Sequence, residues 1–451
     1  MKFHILLTSL TLFTISSSAD WTRFRGPNGS GIPDDEKAIP LKWSDTENLK
    51  WKTALPGPGS SSPIVVGDKI FVTCWTGYGT DNSRDAEMED LKRHLICIDR
   101  KTGKILWNKS VKAKLPEERY SGMFTQHGYA THTPVSDGKN VYAYFGKSGL
   151  HAFDLDGKKL WEADAGDYLD RRGWGSASSP IIFKDKVIVT ASIEDEALYA
   201  FDTKTGSQVW RSPASGLAST WSTPITVNHE GRESILLAVP YEIWAYNPEN
   251  GRLRWSCEAV MSDSLCGSPI VKDGLIYAMG ERGGGSVAIK AGGKGDVTKS
   301  HLAWEGKNGS RIGTPILWDN RLYWIGSGIA NCRDAKTGEE IFAERVPGGD
   351  SSGGRSSGGF GGRSRGGFGG FGGRRGGGGG RGSDYSSPVA VAGHLFQITG
   401  SGETWVLKLT KEFKFVGRNK LTDDSRFSGT PAVDNGQLFI RSDKNLYCIA
   451  D

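Results

Sequence analysis

Eight Ser/Thr-Pro or near-identical steps, each opening a short apolar strand, recur along the chain at almost constant spacing. Their prolines are Pro63, Pro134, Pro180, Pro224, Pro269, Pro315, Pro388 and Pro431. Most intervals are 43–46 residues, the length of one four-stranded propeller blade. Two are longer, and each holds an evident insertion. A single blade cannot bury both of its faces, so this period demands that neighbours stack. The expectation is an all-β chain forming an eight-bladed β-propeller of four-stranded antiparallel blades.

The third repeat shows the unit most fully. Ile181-Ile182, Lys186–Thr190 and Ala197–Phe201 read as three strands rich in β-branched and aromatic residues. Asp202 and Thr205-Gly206 then mark a tight turn, with the carboxylate taking backbone N–H groups and Gly accepting positive φ. Trp210 falls on the outer strand, where its ring can fill the wedge between blades. The Ala/Cys-x-Asp-x-x-Thr-Gly-x-x-x-Trp pattern returns at Cys97–Trp107, at Ala245–Trp255 with Asn247, and one residue shorter at Ala152–Trp161. Cys332–Phe342 carries Phe in place of Trp. The fifth copy keeps Ala288 and Trp304, and the seventh is degenerate around Leu407 and Phe415.

The eighth copy ends after its third strand, Leu446–Ile449, without a Thr-Gly turn or a Trp. Leu49-Lys50-Trp51-Lys52 has no preceding strands of its own. An N-terminal strand completing the last blade closes the ring and removes an exposed edge.

The repeated Asp-x-x-Thr-Gly-x-x-x-Trp element resembles the tryptophan-docking motif of quinoprotein alcohol dehydrogenases and of the PQQ-like repeat propellers related to them. BamB-type outer membrane protein assembly factors share the repeat. The resemblance spans about residues 49–451, and Trp21–Gly29 resembles the N-terminal signature of secreted bacterial members. It implies the fold; function must come from a site.

The ends and composition set further limits. Lys2, the apolar run Ile5–Ile15 and Ser17-Ser18-Ala19 read as a signal peptide over residues 1–19. Residues 20–48 then form an N-terminal extension and 49–451 the propeller. Export to the periplasm or the extracellular space is expected, with no transmembrane segment. The formal charge of +5 is small and concentrated in one insertion, so specific nucleic-acid binding is not expected. Six cysteines in an exported chain permit disulfides. Cys74 with Cys97 and Cys257 with Cys266 are candidate pairs, against reduced buried thiols; Cys332 and Cys448 occupy the Ala position and read as free.

Two insertions stand out. Residues 75–92 form a polar insertion with Asp81, Asp85, Glu87, Glu89 and Asp90. It lacks the spacing of a calcium loop and reads as solvated. Residues 347–384 are Gly/Arg/Ser-rich with interspersed Phe, a composition expected to be disordered. Such a loop suits either a tolerated tether or contact with an acidic polymer.

Candidate site residues lie just before each first strand, where the chain approaches the ring axis. Trp174 between two glycines and Trp221 are stacking candidates; Arg171, Arg172, Arg311 and Arg426 are candidates for holding carboxylates at the channel mouth. Gln126-His127-Gly128 and Asp263 lie in equivalent segments. His127, His132 and His151 lack metal-ligand spacing and read as structural. In quinoprotein dehydrogenases the cofactor PQQ stacks on a Trp beneath an adjacent-cysteine disulfide, with calcium held by Glu, Asn and Asp and an Asp as base. This chain has no Cys-Cys pair, and no such ligand set can be transferred. The resulting expectation is a non-catalytic binding or assembly scaffold with no cofactor and a protein or peptide partner on one face. The alternative is a PQQ-dependent oxidoreductase using PQQ and calcium.

Overall fold

The computed structural model describes residues 20–80, 86–259, 262–280, 285–348 and 385–451. Eight antiparallel sheets radiate from one axis. Blade one is built from Ile64–Val66, Lys69–Thr76, Lys92–Asp99 and Ile105–Lys112. Blades two to seven follow in chain order, each with consecutive strands hydrogen-bonded from the axis outward. Blade eight takes Ala432–Asp434, Gln437–Arg441 and Asn445–Ile449 from the C-terminus and Leu49–Ala54 from the N-terminus. Trp51 lies opposite Cys448, and Lys52 opposite Tyr447. The chain closes its own ring, so Trp51 is the outer-strand tryptophan that the eighth repeat lacks in sequence.

The Ser/Thr before each proline has a specific task. In seven of the eight its hydroxyl accepts the backbone N–H of the equivalent residue one blade earlier. Ser62 N–H donates to Thr133 Oγ1 at 2.9 Å, Thr133 to Ser179 Oγ at 3.0 Å and Ser179 to Thr223 Oγ1 at 3.1 Å. Thr223 donates to Ser268, Ser268 to Thr314, Thr314 to Ser387 and Ser387 to Thr430, all at 2.8–3.0 Å. Proline fixes φ and lacks an N–H, so the residue before it carries the inter-blade bond. This belt satisfies backbone donors at the crowded axis, where an unpaired N–H is costly.

The tryptophans form a second, outer belt. Each lies over the turn glycine of the next blade and donates its indole N–H to a carbonyl there: Trp51 to Arg100 at 3.0 Å, Trp107 to Leu155 at 3.1 Å, Trp161 to Thr203 at 3.0 Å, Trp210 to Pro248 at 3.0 Å and Trp304 to Ala335 at 2.9 Å. A Cβ on Gly103, Gly157, Gly206, Gly251 or Gly338 would fall within 2.9 Å of the docked ring. The glycine is therefore required by close approach as well as by its positive φ. The degenerate repeats substitute in their own ways. Phe342 packs on Phe413 at 5.8 Å between blades six and seven. In blade seven Gly417, not an aromatic, lies opposite Val406 at the tryptophan position, and Phe415 lies opposite Leu407. In blade five Trp304 lies opposite Ala288, but residues 291–301 replace the turn. They supply Ala291 and Val297 to pack with Trp255, add Gly295–Asp296 as a parallel fifth strand to blade four, and form a one-turn helix, Thr298–His301. The all-β expectation has no helix at this point, because one turn is too short to carry a periodic signal.

None of the six cysteines is joined in a disulfide. Cys74 faces His94 and Cys97 faces Phe71 across the same strand pair. Their side chains join different cores, Cys74 on the side of blade eight and Cys97 on the side of blade two, so that pairing is excluded by the pleat. Among the described residues no helix is long and apolar enough to cross a membrane.

The N-terminal extension enters the channel. Trp21 C=O accepts from Val65, Thr22 C=O from Ser136 and Gly31 C=O from Ala390. Arg25 is fully buried and donates to the carbonyls of Gly29, Ser30, Pro315 and Pro388 at 2.8–3.1 Å. Arg23 donates to Pro224 C=O at 2.7 Å, and Asn28 clamps Thr226 through both its amide groups. One short segment thus ties blades one, two, four, six and seven together at the axis. Residues 349–384, nearly all of the Gly/Arg-rich insertion, and residues 81–85 lie outside the described residues.

Candidate functional site

At the Ser/Thr-Pro end of the channel lies an axial cavity of about 1200 Å³, its open mouth included. Phe24 of the N-terminal segment lines its inner end. The hydroxyl belt (Ser62, Thr133, Ser179, Thr223, Thr314, Ser387, Thr430) encircles it, and Met123, Trp174, Trp221 and Tyr385 form an apolar wall. His127 and Arg311 are the basic residues of its lining.

The Trp174 wall is held by its own loop. Asp170 accepts the N–H of Arg172 at 3.0 Å and of Trp174 at 3.1 Å, an Asx-type turn. Gly175, at φ +70°, lets the chain pass Phe124, whose ring would lie 2.6 Å from a Cβ. Trp221 Nε1–H donates to Gly175 C=O at 2.7 Å, and the two indoles sit 5.7 Å apart with a 35° tilt. The Arg172 guanidinium lies 4.8 Å from Trp174 and 5.4 Å from Trp221, a cation–π clamp across the pair. His127 Nε2 lies 2.7 Å from Trp174 C=O. A carbonyl cannot donate, so Nε2 carries the proton and Nδ1, 2.9 Å from Thr131 Oγ1, is the acceptor. Burial lowers the His127 pKa to about 4, so the ring is neutral and pins the Trp174 loop to blade two.

The candidate residues divide. Trp174, Trp221 and Arg311 line the cavity. Arg172 is turned onto the indoles and bonded to Ser219 Oγ at 2.8 Å and to Ala218 C=O. Arg426 is anchored to Thr125 C=O at 2.8 Å and Gln126 Oε1 at 3.2 Å. Arg171 and Asp263 are exposed and are not among the lining residues. The four arginines thus do not converge on one ligand position. Sequence reasoning missed Phe24, Met123 and Tyr385 as wall residues. Nothing local marks Met123 or Tyr385, which meet through a 3.9 Å O–H···S contact across 262 residues of sequence.

The lining does not suit a calcium-bound quinone. The described residues around the cavity include no Asp, Glu or Asn, whereas calcium takes hard oxygen ligands and favours carboxylates. One arginine is also few for a polycarboxylate. Nowhere among the described residues do three His, Cys, Asp or Glu side chains gather as a metal cluster.

The family model for the outer membrane protein assembly factor BamB matches residues 91–344. The fold is similar to the crystal structure of BamB from Moraxella catarrhalis, with a TM-score of 0.57 and 13% identity over 89% of this chain and 97% of that one. It is also similar to the quinohemoprotein alcohol dehydrogenase from Comamonas testosteroni, with a TM-score of 0.56 and 11% identity over 95% of this chain and 80% of that one. A curated relative, polyvinylalcohol dehydrogenase from a Pseudomonas species, is 22% identical over 279 residues, 49% of this chain. The match spans 38% of that relative's length.

Proposed function

The chain belongs to the family of the outer membrane protein assembly factor BamB, and from that premise we propose that it is an exported, non-catalytic binding scaffold. Its partner is a protein or peptide that docks on the face bearing the axial cavity, in the periplasm or outside the cell. The observation that carries this reading is the lining. Among the described residues, hydroxyls and aromatic side chains converge there with no carboxylate to hold a calcium ion. Such a surface suits an apolar or aromatic peptide side chain inserted between Met123, Trp174 and Trp221.

The second reading is a PQQ-dependent oxidoreductase, favoured by the similarity to polyvinylalcohol dehydrogenase. One titration separates the two. Mature protein is mixed with PQQ and calcium and followed by quinone absorbance and dye-linked alcohol oxidation. Saturable binding with turnover overturns the scaffold. The scaffold predicts no turnover, together with selection of apolar extended peptides whose binding is lost in Trp174→Ala.

The Arg/Gly-rich insertion is proposed as a tether toward an acidic polymer. Excising it should weaken retention on an anionic polysaccharide column without altering peptide binding.

A further inference from the structure

One tryptophan of the outer belt breaks the rule of the others. Trp51, Trp107, Trp161, Trp210 and Trp304 each donate the indole N–H to a carbonyl of the next blade. Trp255 is only 2% exposed, yet its indole N–H makes no hydrogen bond among the described residues. The cause is local: residues 291–301 replace the turn whose carbonyl would have accepted it. A buried donor without an acceptor costs free energy. Trp255 instead borders a pocket on the outer rim between blades four and five, about 580 Å³ with its mouth included.

The groups around this space are mostly donors. Arg232, on strand Arg232–Val239, and Arg254, on strand Leu253–Glu258, line it with His229, Gly292 and Gly293. Arg254 gives Nη1 to Glu233 C=O and to Ser234 Oγ at 2.8 Å. Its Nε and Nη2 make no hydrogen bond, and neither does the Arg232 guanidinium or the His229 ring, among the described residues. Gly292 and Gly293, at φ +100° and +96°, leave room before the two imidazoles: a Cβ there would lie 2.9 Å from His229 Nε2 and 3.0 Å from His301 Nε2. Glu230 is the lining carboxylate, and it is exposed. Glu233 is paired with Lys184 at 2.7 Å, and Asp296 accepts from Thr298. The crowding of cations shows in their proton affinities. Burial first, and then Arg232, lowers the Arg254 pKa. Burial, and then Lys290 and His229, lowers that of His301. Like charges gathered in this way are relieved by an anion between them.

We propose that this rim pocket binds a tetrahedral oxyanion, phosphate or sulfate, with hydrogen bonds from Trp255 Nε1–H and the Arg254 guanidinium and with Arg232 as a further counter-charge. Donors reach the space from two strands and from the 291–301 segment, so they surround a centre instead of sharing the single plane that suits a carboxylate. The pocket shares no lining residue with the axial cavity, and its occupancy does not depend on what that cavity binds.

Calorimetric titration of the full mature chain with phosphate, sulfate, glycerol 3-phosphate and acetate tests it, at an ionic strength held constant with chloride. At least one of the first three should saturate about tenfold tighter than acetate, the worth of one charge-assisted contact. Glycerol 3-phosphate binding as tightly as phosphate identifies an ester ligand; binding of phosphate or sulfate alone identifies the free ion. Trp255→Phe keeps a ring and removes the N–H, so it should weaken the anion about tenfold. The indole N–H resonance missing from that variant should be the one that shifts in the wild type when the anion is added. If Trp255→Phe melts early, Arg232→Gln at an exposed side chain should still weaken binding by a similar factor. Trp174→Ala in the axial cavity should leave binding unchanged. The proposal is overturned if no oxyanion saturates, if acetate binds as tightly, or if a different indole resonance moves. It is equally overturned if well-folded Trp255→Phe or Arg232→Gln binds like the wild type, or if Trp174→Ala binds more weakly.

Discussion

One half-buried histidine, one buried histidine and one buried arginine show how single residues hold this axis. His127 and His132 are neutral in the fold, with pKa values lowered chiefly by burial to about 4 and about 3. Their unfolded counterparts take up a proton near the ordinary histidine pKa of about 6.5. The native state then binds fewer protons, so stability is full above that pH and declines as the pH falls toward the folded-state values. Melting temperatures recorded from pH 8 to pH 4 should fall. They should fall less steeply in His132→Ser, which restores the Ser found at this step in other repeats. An unchanged slope in that variant would mean that His132 is protonated in the native state. Arg25 works by a different logic, because its four acceptors are all backbone carbonyls. Arg25→Met fills similar volume and strands those acceptors. Each buried orphan costs about 1–3 kcal/mol, so urea unfolding should register a loss of at least about 3 kcal/mol.

At the level of the element, the blade-to-blade joint is the indole resting on a glycine. Gly251 and Gly231 both have positive φ, at +68° and +75°, but a Cβ on Gly251 would meet Trp210 at 2.5 Å and one on Gly231 would meet nothing within 4 Å. Alanine at Gly231 carries only the left-handed backbone cost of about 1–2 kcal/mol. At Gly251 overpacking adds roughly another 1–3 kcal/mol. Denaturant midpoints of the two variants should therefore differ, and equal midpoints would remove close packing as the reason for the glycine. This joint also explains what was readable in the sequence. Trp, Gly and the Ser/Thr-Pro step recur because each makes the same contact in successive blades, so their period exposes the architecture. Residues 291–301 make a contact of their own with Trp255 and left no periodic trace. The axial wall was partly legible: Trp174 and Trp221 both fall in the segment that leads into a first strand near the axis. Phe24, Met123 and Tyr385 reach the wall from three unrelated loops, and no local pattern could associate them.

For the molecule as a whole, the decisive contact is the one between its two ends. Leu49–Ala54 covers the outer edge of Asn445–Ile449, and Trp51 then docks on blade one at Arg100. Removing residues 20–54 would open that edge, expose the partners of Trp51 and withdraw Arg23 and Arg25 from the axis. An uncovered strand of Leu446, Tyr447 and Ile449 is a template for pairing with a second chain. The truncated protein should therefore form concentration-dependent oligomers in light scattering and lose its single cooperative melt. A truncation of 20–48 alone keeps Trp51 and the edge strand. It should stay monomeric while melting earlier, because it loses the axial ties and the buried Trp21, Ile39 and Trp43 but not the edge strand. Monomeric behaviour of both truncations would show that the edge is protected by something other than closure. Excising 349–384 and joining its flanks with a short Gly/Ser linker is the complementary case. The insertion lies between blade six and blade seven, and the four strands of each of those blades all come from the described residues. The expected melting temperature is that of the intact chain, since lengthening or shortening a connecting loop changes closure entropy only slowly. A large loss would mean that the Arg/Gly-rich segment packs on the ring and shares in its stability.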